Sequence, residues 1–365
     1  LKCRGISGRP ADRKNFSSTS VRTGYGNALP ARRSPGANGK NERVHRLRGA
    51  GRTAARPVGY LEKGGLPEVN ERLKPKKRVF FAYLTAPIAI YVFTVIVPVF
   101  YAAYFSFFKW KSGPKKTFDG LTNYQKLLSD NVFWSSFQNN MFLTFVSIIG
   151  QIGFAFLFAM MLNSKFARAK RLHRTLCYFP VTISAVVIAF IWSMIYNFDY
   201  GLLNYFLRQA GLGNLVKPWL SDPNYALKFI SITIVWQYIG YYMVILLSAF
   251  TTIDPNIFEM AEIDGASAWQ RAMHIALPLL KPTFVVMITL CISGNMKTFD
   301  HVYVMTGGGP GNATSVMALY AYNISFIRNN MGYGSALSIG LLVLSLAVIM
   351  GTRWGINRLF AGKEA

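Results

Sequence analysis

From Val79 onward the chain alternates long apolar runs with short polar links. A helix crosses the hydrocarbon core of a bilayer with about 20 apolar residues. Six runs qualify, at about residues 79–108, 137–162, 176–197, 227–250, 283–305 and 334–353. The first, VFFAYLTAPIAIYVFTVIVPVFYAAYFSFF, contains Pro87 and Pro98 and is expected to kink, which neighbouring helices accommodate in lipid. The fifth is the least clean, because Asn295, Lys297 and Asp300 interrupt its second half. The pattern predicts an all-α membrane protein with about six transmembrane helices over residues 76–360, followed by a short tail at 361–365.

The link between the fourth and fifth runs is not a plain loop. Asp254 before Pro255 is a helix start, with a side-chain acceptor at the N-cap and a fixed φ at the first helical position. Glu259, Glu262 and Ile263 then share one face. Gly265 suits a left-handed C-terminal turn. Ser267 can cap a second helix carrying Trp269, Met273 and Ile275, bounded by Pro278 and Pro282. The prediction for 254–282 is a helix–turn–helix that displays apolar and acidic groups. A helix lying on the lipid surface usually turns Lys and Arg toward the headgroups. This segment offers Glu259, Glu262 and Asp264 against Arg271 and Lys281, which favours a protein partner over lipid.

Charge sets the orientation. KPKKR before the first run and KFARAKRLHR between the second and third mark cytoplasmic segments, so six spans put both termini in the cytoplasm. The first outer loop, with Lys109, Lys111, Lys115, Lys116 and Lys126, is an exception to that rule. DGLTNYQKLLSDNVFWSSFQNN reads as a short amphipathic outer segment, and MTGGGPGNATS as an outer turn with glycines at positive φ.

Composition agrees with a membrane protein, with 52% hydrophobic residues in 365. The net charge of +25 is uneven: about half of the Lys and Arg precede Val79, against the acids Asp12, Glu42, Glu62, Glu68 and Glu71. Residues 1–75 show almost no apolar periodicity and read as a basic disordered arm. A nucleic-acid-binding arm and a transit peptide are two readings of it. Translated upstream sequence is favoured over both, because the first Met is Met141 and EKGG at 62–65 precedes Leu66 and Val69 as alternative starts. Cys3, Cys177 and Cys291 lie far apart, and the His residues show no metal-binding spacing. Neither a phosphate-binding loop nor a catalytic motif is present, so neither a nucleotide site nor a metal or catalytic site is expected in this chain.

The sequence EMAEIDGASAWQRAMHIALPLLKP resembles the EAA signature of binding-protein-dependent ABC importer permeases. That signature runs E-A-A, three residues, G, nine residues, I-x-L-P. Its positions here are Glu259, Met260, Ala261, Gly265, Ile275, Leu277 and Pro278, with the spacing kept and Met260 as the one departure. Met is a good helix former, so little change is expected. GLTNYQKLLSDNVFWSSFQNN, FDHVYVMTGGGPGNATSVMALYAY and GYGSALSIGLL are similar to sugar permeases of the maltose-transporter type. The resemblance covers about Lys76 to Phe360.

The resemblance implies a permease subunit of a carbohydrate importer in a bacterial cell membrane. Its partners would be membrane lipid, a second permease, a cytoplasmic ABC ATPase dimer that holds ATP and Mg, and an extracytoplasmic solute-binding protein. Nucleic acid is not among them. The segment around Glu259, Met260, Ala261, Asp264, Gly265, Ala266, Ile275, Leu277 and Pro278 would be the coupling helix, seated in a cleft of the ATPase. The chain itself would do no covalent chemistry. A sugar path needs aromatic faces and hydrogen-bonding groups turned into the bundle. The candidates are Gln237, Tyr241 and Tyr242 in the fourth run, and Ser293, Asn295 and Asp300 in the fifth. Interhelical hydrogen bonding for Asn295 and Gln237, and interfacial anchoring for the tyrosines, are the structural alternatives. The other function class is an ion-coupled secondary transporter. It would call for internal repeats and a mid-membrane acid, whereas the acids here cluster in links.

Overall fold

The computed structural model of the chain describes residues 77–163 and 169–361. The arm expected at 1–75, its proposed alternative starts and, except for Ala361, the tail expected at 361–365 lie outside these residues.

Four of the expected spans are continuous helices. They are α1 (Arg78–Phe105), α3 (Asn131–Asn163), α7 (Ala226–Phe250) and α13 (Met331–Ala361, apolar over Met331–Ile356). Pro87 and Pro98 do not interrupt α1. Pro98 lacks an N–H, and just before it the helix takes one π turn, Val92–Ile96, in which the Val97 N–H donates to the Val92 carbonyl. A ribbon of Phe108–Lys109 paired with Thr117–Phe118 follows α1, and then the short helix α2 (Thr122–Leu128). Asp130 caps α3 by accepting from the Val132 and Phe133 N–H groups at 2.9 and 3.2 Å.

The third and fifth spans depart from the expectation of one straight helix each. The third is α4 (Lys170–Thr182) joined to α5 (Ala185–Ile195) with a bend of 95°. Pro180 lies inside α4, and Ile183 and Ser184 take extended conformations, so the helical ladder stops there. After the short helix α6 (Leu202–Gln209) the chain reaches α7. Beyond α7 come α8 (Pro255–Ile263), α9 (Ala268–Leu279) and α10 (Lys281–Met296), with α9 and α10 bent by 75° about Leu280. Pro278 therefore lies within α9, and Pro282 opens α10 rather than ending its predecessor. The fifth run expected at 283–305 ends as a helix at Met296. Lys297, Thr298 and Phe299 break it before α11 (Asp300–Met305). The Gly-rich turn then bends as the sequence predicts, with Gly307, Gly308 and Gly311 at positive φ, and leads to α12 (Met317–Ile327).

The core gathers around α7, whose most apolar window is 61% buried, and leaves α1 with none buried. Met243, Leu246 and Leu247 of α7 pack with Ala155 and Ala159 of α3, Ala276 of α9 and Met287 of α10. A second cluster joins Phe133, Met296, Met317 and Tyr333, and a third joins Leu143, Ala189, Ile230, Val302 and Leu319. Helices in lipid associate by close packing rather than by exclusion of water, so small residues at crossings matter. Gly240 is a clear case: a Cβ there would collide with the Cys177 carbonyl oxygen of α4.

Candidate functional site

Two regions hold the residues singled out by the sequence. The first is the α8–α9 hairpin. Asp254 accepts from the Asn256 N–H at 3.0 Å and Pro255 opens the helix, as its sequence predicts. At the other end the Gly265 N–H donates to the Glu262 carbonyl at 3.1 Å and the Ala266 N–H to the Ala261 carbonyl at 2.9 Å. This pair of bonds is a Schellman closure, and Gly265 adopts φ +81° within it. No heavy atom lies within 4 Å of a Cβ built at Gly265, so the backbone angle and not space demands glycine.

Ser267 and Gln270 then form a reciprocal capping box, at 3.2 Å for the Gln270 N–H on Ser267 Oγ and 2.8 Å for the Ser267 N–H on Gln270 Oε1. Arg271 donates to Glu262 at 2.9 Å across the turn. Glu262 therefore serves the hairpin itself, and the acids left on display are Glu259 and Asp264, both exposed. Phe258 and Met273 pack inward against the α7 cluster. Ile263 is 85% exposed, Met260 65% and Trp269 60%. Ala261, Ala266 and Ile275 are half-buried, while Leu277 and Pro278 are exposed. Asp264, Gly265, Ala266 and Ile275 line one shallow concavity with Gln270 and His274.

The second region is a partly open cavity of about 380 Å³ lined by residues of α3, α4, α5, α7, α10 and α11. Tyr241, Tyr242, Asn295 and Asp300 line it, as do Gln151, Tyr238, Lys297, Thr298 and His301. Ser293 is not part of its wall, and Gln237 stands behind the wall. Gln237 donates through Nε2 to the Ile183 carbonyl at 3.1 Å, and its Oε1 lies 2.7 Å from His301 Nε2.

The buried amides are engaged with other helices. Asn295 accepts from Ser147 Oγ at 3.0 Å and donates to the Cys291 carbonyl at 2.9 Å, while its own carbonyl takes the Asn140 amide at 2.8 Å. Gln151 donates to Ser147 Oγ and to the Ile234 carbonyl. Interhelical bonding thus accounts for the side chains of Asn295 and Gln237 as they stand. Tyr241, Thr298, Lys297 and Asp300 present the more open polar and aromatic surface. Sequence reasoning missed Gln151, Tyr238, Thr298 and His301. Gln151 could have been found as a lone amide inside an apolar run. His301 sits at the frayed end of the fifth run, where periodicity says nothing about which way a side chain faces.

Among the described residues no three His, Cys, Asp or Glu side chains gather where a metal could be held.

Comparison with known proteins gives these features a family. Residues 151–354 match the family described as binding-protein-dependent transport system inner membrane component. A probable ABC transporter permease of Bacillus subtilis (strain 168), YurN, is 34% identical over 264 residues, covering 72% of this chain and 90% of that protein. The sulfoquinovosyl glycerol transport system permease SmoG of Agrobacterium fabrum is 32% identical over 296 residues, 80% of this chain and 95% of the other. Among solved structures, a chain of a bacterial alginate ABC transporter, in complex with an alginate pentasaccharide-bound periplasmic protein, superposes with a TM-score of 0.68. That match has 20% sequence identity and covers 77% of this chain and 94% of the other, which speaks to the fold. These matches set aside the ion-coupled secondary transporter. The chain belongs to the binding-protein-dependent transport system inner membrane components and is an ABC transporter permease subunit, a transport component and not an enzyme.

Proposed function

We propose that this permease imports a carbohydrate, that the cavity beside Tyr241 and Thr298 belongs to its path, and that the α8–α9 hairpin is the contact for the ATPase. One observation carries the coupling part. The hairpin is closed by its own caps and its own ion pair, yet Met260, Ile263 and Trp269 remain uncovered. A fully capped helix pair with exposed large apolar groups beside acids fits a protein socket better than a lipid surface. Glu259 would meet a basic group of the ATPase, and Gly265 would keep the turn tight enough to enter its cleft.

The carbohydrate reading draws on the sugar-named relative, and the aromatic and hydrogen-bonding groups of the cavity suit it. Aromatic faces cover sugar rings, while hydroxyl and amide groups answer sugar hydroxyls. In the assembled importer a second permease would complete the path, and the periplasmic binding protein would deliver the sugar. ATP and Mg would sit in the ATPase pair. ATP binding would close that pair, move both hairpins and exchange an inward-open for an outward-open cavity. Nucleotide and loaded binding protein can drive this only by stabilising the two states differently. Both termini would lie in the cytoplasm, on the same side as the hairpin.

Co-purification tests the reading. The tagged permease is expressed with its genomic neighbours and candidate ATPases, beside Glu259→Lys and Gly265→Pro. The expected result is retention of an ATPase by the wild type, with loss of retention or of ATP-dependent sugar uptake in both variants. Failure of the wild type to retain any ATPase in mild detergent would sink the coupling assignment.

A further inference from the structure

The 95° break in the third span is held by a chain of three groups from three elements. The Ile183 carbonyl sits at the break itself, where α4 has ended and α5 has not begun. A helix interrupted in this way leaves carbonyls without their intrahelical donors. Gln237 of α7 supplies a donor at 3.1 Å. Its amide is thereby oriented, since an amide oxygen turned to Ile183 would face another acceptor. Oε1 must then accept from His301 Nε2 at 2.7 Å, which assigns the His301 proton to that nitrogen. Gln237 is 1% exposed and His301 4%. Water therefore does not readily replace either bond.

Two further features tie this chain to movement. The α4 arm is pinned, because its Cys177 carbonyl lies directly against Gly240 one turn from Gln237 on α7. The cavity wall includes Val181 and Ala185, one from each side of the break, together with His301. Whatever fills the cavity touches both arms and the last link of the tie.

We infer that Gln237 is a positioning residue for transport: with His301 it fixes the angle of the third span, and a shift of His301 as the cavity fills or empties releases that angle. The inference rests on the reading of the cavity as part of the sugar path. With the tie made, α4 and α5 hold one angle. With His301 drawn aside, the Gln237 amide is free to leave Ile183, and the arms re-angle about residues 183–184. Pro180 and the extended pair keep the break from healing into a continuous helix, so the motion is a hinge and not a refolding.

The test uses the assembled importer in lipid nanodiscs. Spin labels go on Leu172→Cys and Phe190→Cys, one in each arm, with Cys3, Cys177 and Cys291 replaced by Ala. Pulsed EPR distances are read without nucleotide and after trapping with ATP and vanadate. The expected result is a single distance in each state for the otherwise unchanged protein, with the two values different. Gln237→Met and His301→Phe then move the nucleotide-free distribution toward the trapped one. His301→Gln keeps an N–H near the same point and restores the original distance. A purely structural role would lower thermal stability and leave the distances where they were. Unchanged distances in both variants would overturn the inference, whatever happens to uptake, and if Gln237→Met fails to assemble the two His301 variants decide. A separate arm tests the path reading itself, by alkylating Thr298→Cys with a methanethiosulfonate. Uptake that survives this modification refutes the cavity as the path, and with it the link from cavity to hinge, while the EPR result still judges the tie.

Discussion

The α8–α9 hairpin and the α3–α7–α10 interface are both rich in polar side chains, and they use them at different ranges. In the hairpin the bonds are local: Asp254 to Asn256, Ser267 to Gln270, Glu262 to Arg271. They shape the segment and leave its large apolar groups outside. In the interface they are distant: Ser147 to Asn295, Gln151 to Ile234, Gln237 to Ile183. They join helices and leave little over. If the hairpin is the proposed ATPase contact, the difference separates a docking element from a framework. A docking element is complete in itself and uncovered, whereas a framework has its polar groups paired across the core.

Substitutions can break this distinction or sharpen it. The largest effect is expected from Gly240→Val, because its new atoms would collide with the α4 backbone, which has no side chain to swing away. A cost at or above about 3 kcal/mol, the upper part of the usual overpacking range, is expected. Loss of monodisperse, detergent-extracted permease on size exclusion would show it. Asn295→Leu comes next. It removes the acceptor of Ser147 Oγ and the donor to the Cys291 carbonyl, with an expected loss of about 1–3 kcal/mol in thermal or denaturant unfolding. ATPase retention should not change in whatever fraction remains folded, and a selective loss of retention would erase the line between framework and docking element.

Gly265→Ala reverses the pattern. A left-handed Ala costs about 1–2 kcal/mol at that one turn. Unfolding should lose no more than that amount, while ATPase retention falls by about tenfold, the equivalent of about 1.4 kcal/mol. A fall in unfolding temperature with unchanged retention would count against the hairpin as a docking element.

The smallest effect is one of pH, at the Asp130 end of the framework. Asp130 is half-buried, which works to raise its pKa. Hydrogen bonds from Tyr320, Tyr333 and the Phe133 and Val132 N–H groups outweigh that and hold it below the ordinary carboxylate value of 3.8. A carboxyl lowered in the folded state adds stability that is complete above the unfolded pKa and is lost as pH falls through the folded one. Unfolding measured from pH 6 down to pH 3 should show a modest destabilisation beginning only below about pH 4. Asp130→Asn should flatten that part of the curve, and an unaltered curve would place the dependence elsewhere.

The two regions were also unequally legible in the sequence. The hairpin could be read residue by residue, because caps and turns are local: Asp254–Pro255, Gly265 and Ser267 each announce a backbone geometry within four residues. The same locality hid that Glu262 would be taken by Arg271, nine positions on. The apolar runs located the spans, but hydropathy carries no information on direction. The Ile183 carbonyl at the break finds its donor on Gln237 of α7, 54 residues away, and the early end of α10 at Met296 leaves Lys297 and Thr298 in the cavity wall. Gln237 stands out in the sequence as a mid-span amide, and its partner comes only from the folded chain. The cavity was therefore legible as a set of residue types and not as a place.

The bare surface of α1 has a consequence for how the protein is made. None of its residues is buried, though it is 28 residues of nearly uninterrupted apolar sequence. A segment of that kind partitions into the bilayer on its own hydrophobicity, with no contact to later spans required. It can be in place before α3 or α7 has been synthesised, and so can serve as the anchor from which the others are threaded. A graft that exchanged α1 for an unrelated apolar helix of equal length would then be tolerated during biogenesis, and its cost would appear later, where Val97–Phe105 packs on α13 and where the finished subunit meets its neighbours.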